Sequence, residues 1–417
     1  MTAPLHIVSV CRSLPTPDDP SAGVFVLNRI AAMSKVADVR IVQPIPYMPG
    51  VRPLPQWARA PRHRVGDLDL EHAPMAYVPG MLKSLDPAWL ARSIRPAIQR
   101  IHTARPIDLI DAHFGFPDGM GCVSVGRRLG IPVFITLRGF EQDRSRDVVI
   151  GPRLKASMRA ACGCVAVSET LRALALRSGV DSQAVRVIHN AIDGSTFNSG
   201  DGRDNARRRL GVPADAKLIV SVGRLIALKR HHVLVDAFAA LRQELPQASL
   251  AIIGGRSLEP HYASQLEAQI RALGLQSSVR LVGNLPQPDV VDWLRAADSF
   301  ALLSSREGCN NAVLEALAVG APVVATPAGD NAIFVHSGIN GEIVPIDDAR
   351  ATAGALGAVL QRSAWDRTAI SGKLTAQVGD WSAVAERVLG FFRERLAAAA
   401  RAPAYGVVPR APRAQGG

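Results

Sequence analysis

Residues 302–327 read LLSSREGCNNAVLEALAVGAPVVATP, and this stretch decides the fold. Phe300–Leu303 is an apolar run of strand length. Asn311–Val319 sets its apolar residues at helical spacing, and Gly320-Ala321-Pro322 stops that helix before a second apolar run, Val323–Ala325. Strand, turn, helix and strand in this order form the repeating unit of a parallel α/β sheet. Two carboxylates, Glu307 and Glu315, interrupt the apolar pattern with seven residues between them. Glu307 falls at the carboxyl end of the first strand, where open α/β sheets bind ligands. Glu315 falls within the helix that follows. Spacing alone would fit one surface Glu and one solvated helix Glu.

The same alternation extends outward in both directions. In the first half, Leu5–Val10, Val39–Val42, Leu109–Ala112, Val133–Thr136, Cys164–Val167 and Val185–Ile188 read as strands separated by helical patterns. In the second half, Leu218–Val222, Leu250–Ile253 and Val279–Val282 precede the strand before Glu307. Phe197–Val212, polar and Arg-rich, reads as a linker with an entry helix. The expected fold is α/β, with two Rossmann-like parallel-sheet domains facing an interdomain cleft. The boundaries are 1–197 for the first domain and 198–380 for the second. Residues 381–396 form a terminal helix with Val384, Val388, Leu389, Phe391 and Phe392 on one face, and 397–417 are a disordered tail rich in Ala, Pro, Arg and Gly. A length of 417 residues suits two domains of this size.

Composition narrows the function. The 48% apolar content excludes a mainly disordered chain. Cys11, Cys122, Cys162, Cys164 and Cys309 are odd in number and lack framework spacing, which points to a reducing compartment. Cys162-Gly163-Cys164 supplies only two metal ligands with no His pair nearby. No run of 18 apolar residues is present, and Met1–Cys11 lacks the layout of a secretory signal, so a cytoplasmic protein is expected. Net charge is +12, and residues 1–190 hold 24 Lys and Arg against 15 Asp and Glu. Such a basic half suits an anionic partner. Few aromatics and no stacking platform exclude nucleic acid.

Several further residues carry candidate chemistry. Arg224 and Lys229 follow strand Leu218–Val222 and Gly223, a fork and a point charge suited to a pyrophosphate. Gly23 opens a helix whose amides approach an anion along the dipole. Gly254-Gly255 after Ile253 allows backbone to approach a nucleotide base. Asp67-Leu68-Asp69 is an Asp-x-Asp pattern of the kind that holds a divalent cation, but it follows no nucleotide-binding strand, so no metal is expected.

The stretch from Ser304 to Thr326 closely resembles the nucleotide-sugar motif of retaining glycosyltransferases of family 4, the glycosyl transferases group 1, with Gly223-Arg224-Leu225 and Lys229 matching a second element. The resemblance runs from about Leu5 to Phe392 and is strongest in the second half. It implies a GT-B fold and a metal-independent retaining hexosyltransferase. A nucleotide sugar is the donor substrate, no cofactor is needed, and a glycan or lipid-linked chain is the acceptor. Assembly of surface polysaccharide, lipopolysaccharide or glycolipid is the implied pathway.

The resemblance also distributes roles. Glu315 takes the ribose hydroxyls, Arg224 and Lys229 the diphosphate, and Glu307 with Gly308, Cys309, Asn310 and Asn311 the donor sugar. His113 contacts that sugar, Gly23 faces the donor phosphate or the acceptor, and the terminal helix crosses back to the first domain. Arg138 stands where many relatives have His, Ala191 replaces a usual glycine, and Asp330 stands where Gly-Gly is common. A nucleotide-sugar epimerase on the same fold and a non-catalytic donor-binding subunit are the alternatives. The helix Trp89–Ile101, with Leu90, Ile94, Ala97, Ile98 and Ile101 at helical spacing and Pro96 as a point of bending or splitting, carries Arg92, Arg95 and Arg100. With Arg105 and the Arg52–Arg64 segment around Trp57, it suggests docking on an anionic membrane, peripherally on the inner face.

Overall fold

The computed structural model describes residues 4–401, apart from 21, 49, 79, 80, 201, 257 and 258. In chain order the strands are β1 (His6–Val10), β2 (Asp38–Tyr47), β3 (Arg62–Val65), β4 (Leu68–Ala76), β5 (Leu109–His113), β6 (Val133–Leu137), β7 (Gly163–Ala166) and β8 (Val185–Val187). They are followed by β9 (Lys217–Val222), β10 (Ala248–Ile253), β11 (Val279–Gly283), β12 (Ser299–Leu302), β13 (Val323–Ala325) and β14 (Gly341–Ile343). The first eight form one sheet in the order β3-β4-β2-β1-β5-β6-β7-β8, and the other six a second in the order β11-β10-β9-β12-β13-β14. Every pairing is parallel except β3 with β4.

Central strands are buried and largely apolar on both faces because helices cover both. All residues of β1, β5, β6, β7, β12 and β13 are buried, as parallel sheets require. The β3–β4 hairpin was not expected. Its charged Arg-His-Arg-Val strand lies on the sheet edge, where apolar alternation has no core to meet. Gly66 turns the hairpin at φ +59°, which places Asp67 at the exposed tip, 3.7 Å from Arg64. The Asp-x-Asp pattern is therefore turn and edge-strand chemistry. Helix Asp86–Ala104 runs through Pro96 without splitting. Ala397–Arg401, expected in the tail, continue the last helix, while 402–417 lie outside the described residues.

That last helix, Trp381–Arg401, packs on the first sheet although it follows the second in sequence. Val384, Val388, Leu389, Phe391 and Phe392 meet Ile7, Leu109, Phe134 and Val165 in one buried cluster. The Phe134 and Phe392 ring centroids are 4.3 Å apart. Phe392→Ala is expected to destabilise the first sheet by about 3–5 kcal/mol. A urea titration reads the loss as a displaced transition, and no displacement would deny the helix this structural role.

Candidate active site

The carboxyl ends of β9 and β12 bring the second-half residues together. Lys229, in the turn after β9, places its Nζ 2.6 Å from Glu307 Oε1, with both side chains mostly buried. Arg224 sits in the same turn. Its guanidinium is exposed and makes no ion pair or hydrogen bond among the described residues. The turn is braced by His231, which sequence reading missed. Its buried Nε2 lies 3.3 Å from both the Gly223 and Arg224 carbonyl oxygens, and burial beside Lys229 pushes the imidazole down to about 4. A Cβ on Gly254 would come within 1.9 Å of the Gly223 oxygen, whereas one on Gly255 would meet nothing closer than 3.8 Å. Gly254 is thus the glycine this turn requires, and Gly255 contributes its carbonyl to Leu225 N–H at 3.0 Å.

Helix Asn311–Ala318 rises from the turn after Glu307, with Asn310 at its N-cap position. Glu315 lies half-buried on this helix, and burial pushes its carboxyl up to about 7. Cys309 packs between both halves. Burial raises its thiol to about 12, so it packs there as a neutral side chain.

The first half closes directly on this turn. A Cβ on Gly308 would stand 1.9 Å from the Arg138 carbonyl oxygen, so backbone meets backbone across the cleft. Gln142 Nε2 donates to the Glu307 carbonyl at 2.9 Å, Asn190 Nδ2 donates to Asn311 Oδ1 at 2.8 Å, and Arg306 pairs with Asp143. Asp330 accepts from Glu169 N–H at 2.9 Å and lies 2.7 Å from His189 Nε2. The residue that departs from the Gly-Gly pattern therefore joins the two halves. The pairings themselves were not legible in the sequence, because each joins groups more than 100 residues apart.

His113 does not hold the place expected for it. Its ring is fully buried, with Ser9 Oγ 2.9 Å from Nε2 and Arg138 Nη2 3.1 Å from Nδ1. Burial next to Arg29 and Arg138 pushes the imidazole down to about 3. A neutral ring with a proton on Nε2 satisfies both contacts, and neither nitrogen is left for a sugar. His113 instead orients Arg138, whose guanidinium stacks 5.1 Å from the Phe25 ring centroid. Burial lowers Arg138 to about 9, still cationic at neutral pH. Below them, Arg29 pairs with Asp111 at 2.6 Å. Burial alone would raise the Asp111 carboxyl, but Arg29 and His113 hold it below the usual range. Gly23, at φ +59°, would bring a Cβ within 1.7 Å of the Ser13 oxygen, so only glycine fits at the start of helix Val24–Ser34.

Known proteins are similar to this chain. Residues 23–195 match the family described as Glycosyltransferase Family 4, and residues 202–371 match Glycosyl transferases group 1. A D-inositol 3-phosphate glycosyltransferase of Thermobispora bispora is 30% identical over 308 residues, 69% of this chain and 71% of that protein. This chain belongs to the GT-B glycosyltransferases of the family 4 and group 1 type. The glycosyltransferase is also 29% identical over 344 residues, 78% of its own length, to a protein of Bacillus subtilis, and covers 82% of it. That relative is the putative teichuronic acid biosynthesis glycosyltransferase TuaC. Among solved structures, Anabaena HepE in complex with UDP and glucose superposes with a TM-score of 0.70 at 20% identity, covering 94% of this chain and 100% of that one. Sucrose-phosphate synthase from Thermosynechococcus elongatus gives 0.75 at 18% identity with the same coverage. The fold of this glycosyltransferase is therefore GT-B.

Proposed function

We propose that this glycosyltransferase moves a sugar, with retention at the anomeric carbon, from a nucleoside-diphosphate sugar to a glycan or lipid-linked acceptor. Surface polysaccharide, lipopolysaccharide or glycolipid assembly is the proposed setting. The observation that carries the reading is the Lys229–Glu307 contact at 2.6 Å beside an unpaired Arg224 and the Gly308 turn. Two cations at one strand end suit a diphosphate leaving group, and a carboxylate between them and the opposing wall suits the sugar. As the anomeric carbon–phosphate oxygen bond breaks, Arg224 and Lys229 take up the charge on the diphosphate. The acceptor oxygen bonds to the same face, and its proton passes to the departing phosphate. Glu307 holds the sugar hydroxyls and the positive charge that develops on the ring. Complexes of HepE with UDP and UDP-glucose support a nucleotide-sugar donor.

Thermal shift with UDP, GDP, ADP and their sugars tests the reading, because a ligand that binds only the native state raises the melting temperature. No shift with any of them would reject it. Transfer is also expected to persist in EDTA, since fixed cations replace a metal at the diphosphate.

Glu315 adds a pH dependence. As a carboxylate it accepts hydrogen bonds from ribose hydroxyls, and with its carboxyl raised to about 7 the acidic form takes over below neutrality. Donor KM is expected to rise as pH falls from 8 to 6, while Glu315→Gln raises KM at pH 8 and removes most of that slope. An unchanged slope in the variant would assign the titration elsewhere.

The proposal places the enzyme on an anionic membrane. Helices Asp86–Ala104, Met120–Leu129, Ile150–Ala160 and Glu169–Arg177 cover one face of the first sheet with ten Lys and Arg against two Asp and Glu. Arg100 pairs with Glu71 and Arg105 with Asp38, so Arg92 and Arg95, which share a groove of about 300 Å³ with Arg128, carry the attraction. No helix among the described residues is long and apolar enough to cross a membrane. Liposome co-sedimentation should show salt-sensitive binding to anionic and not to neutral vesicles. Negligible binding to both would reject this part.

A further inference from the structure

A second groove of about 390 Å³ opens between helices Ile150–Ala160 and Glu169–Arg177, lined by Gln142, Arg146, Lys155, Thr170, Arg177 and Ser178 among others. Its electrostatics differ from those of the surrounding surface. Other cations on the same helices are engaged: Arg153 donates to the Ser84 carbonyl, Arg159 to the Ser178 carbonyl, and Arg172 pairs with Glu169. Arg146, Lys155 and Arg177 make no side-chain hydrogen bond or ion pair among the described residues. The nearby carboxylates are also committed. Glu141 accepts from the amides of Gly115, Arg138 and Gly139, Asp143 pairs with Arg306, and Asp147 caps helix Ile150–Ala160 through the amides of Val149 and Ile150. Three uncompensated cations therefore line one concave surface, which concentrates positive potential there.

The groove adjoins the junction of the two halves. Gln142, on its rim, is the residue that donates to the Glu307 carbonyl. Thr170 begins the wall at the cleft end and Arg177 ends it seven residues along the helix, about 10 Å away. Amide and hydroxyl groups at one end suit sugar hydroxyls, and cations spaced along the rest suit acidic groups. A planar bilayer cannot follow such a concave path, whereas an extended chain can.

The geometry points to this groove as an acceptor subsite for a negatively charged glycan, one bearing uronate carboxylates or phosphodiesters, whose growing end lies in the cleft. The inference rests on the transferase reading and names the acceptor class. A neutral acceptor would leave all three cations unused.

Fluorescence anisotropy with labelled hexagalacturonate, a glycerol-phosphate hexamer and neutral maltohexaose tests it in the full-length protein. The wild type is expected to bind at least one charged hexamer at least tenfold more tightly than the neutral one, and the preferred hexamer identifies the acidic group. The R146Q/K155Q/R177Q variant should lose at least tenfold of that affinity, with single variants in between. The melting-temperature rise given by the stabilising nucleoside diphosphate, unchanged in the triple variant, confirms that it is folded. Equal affinity for charged and neutral hexamers, or full affinity in the folded triple variant, overturns the subsite while the transferase reading stands. So does binding of anionic vesicles, lost in the triple variant, with no binding of either charged hexamer, because the groove would then face lipid. Absence of nucleotide stabilisation in the wild type would instead reject the transferase reading.

Discussion

Alanine at position 307 is expected to lower kcat by about 10²–10³-fold, the usual loss when a preorganised charge-stabilising group is removed. Donor KM should move in a different way. Glu307 holds Lys229 at 2.6 Å in the free enzyme, so its removal frees that ammonium for the donor diphosphate. KM is expected to stay level or fall while kcat collapses. Arg224→Ala should lower kcat comparably and raise KM as well, because the exposed guanidinium has no protein partner to release. Its exposure also means that folding is unaffected. Steady-state kinetics with the donor found by thermal shift check both substitutions. Retention of full kcat in either protein would remove that residue from the machinery.

Gly308→Ala is expected to have an effect of similar size by a different route. The added methyl would stand 1.9 Å from the Arg138 carbonyl oxygen, so the two walls must separate by roughly 1 Å or more before both fit. Misplacement on that scale costs on the order of 10²-fold in rate. Nucleotide stabilisation should survive, since Lys229, Arg224 and Glu315 all lie on one wall. Gly354→Ala is the control, because a Cβ there meets nothing within 4 Å. A Gly308→Ala enzyme with normal kcat would show that turnover does not need this close approach.

How much of this was legible in the sequence follows from where the information resides. β1, β5, β6, β12 and β13 announced themselves because strands buried on both faces are continuous apolar runs. β3 and β4 did not, since an edge hairpin of alternating charge resembles a loop until its partner is known. Glu307, Lys229 and Glu315 stand out as candidates because they belong to local motifs on strand ends and a helix. His113 was misread for the opposite reason. A histidine after a strand gives its position along the chain, but its role depends on Ser9 and Arg138, which approach from two other strand ends. Gln142 went unread, and the partners of Asn190 and Asp330 with it, because each acts on a group in the other half.

The last helix has a consequence for biogenesis. The first sheet begins at residue 6, yet the wall against Phe134 and Val165 is supplied by Val388, Phe391 and Phe392. During synthesis from the N-terminus, the ribosome must deliver the whole second sheet before that wall exists. Domains whose residues are contiguous fold as they emerge; here the first sheet waits with an apolar face open while the second completes itself. The last unit to be made closes the first, so a translation arrest just before residue 381 yields a nascent chain with a completed second sheet and a first sheet still uncovered on one face.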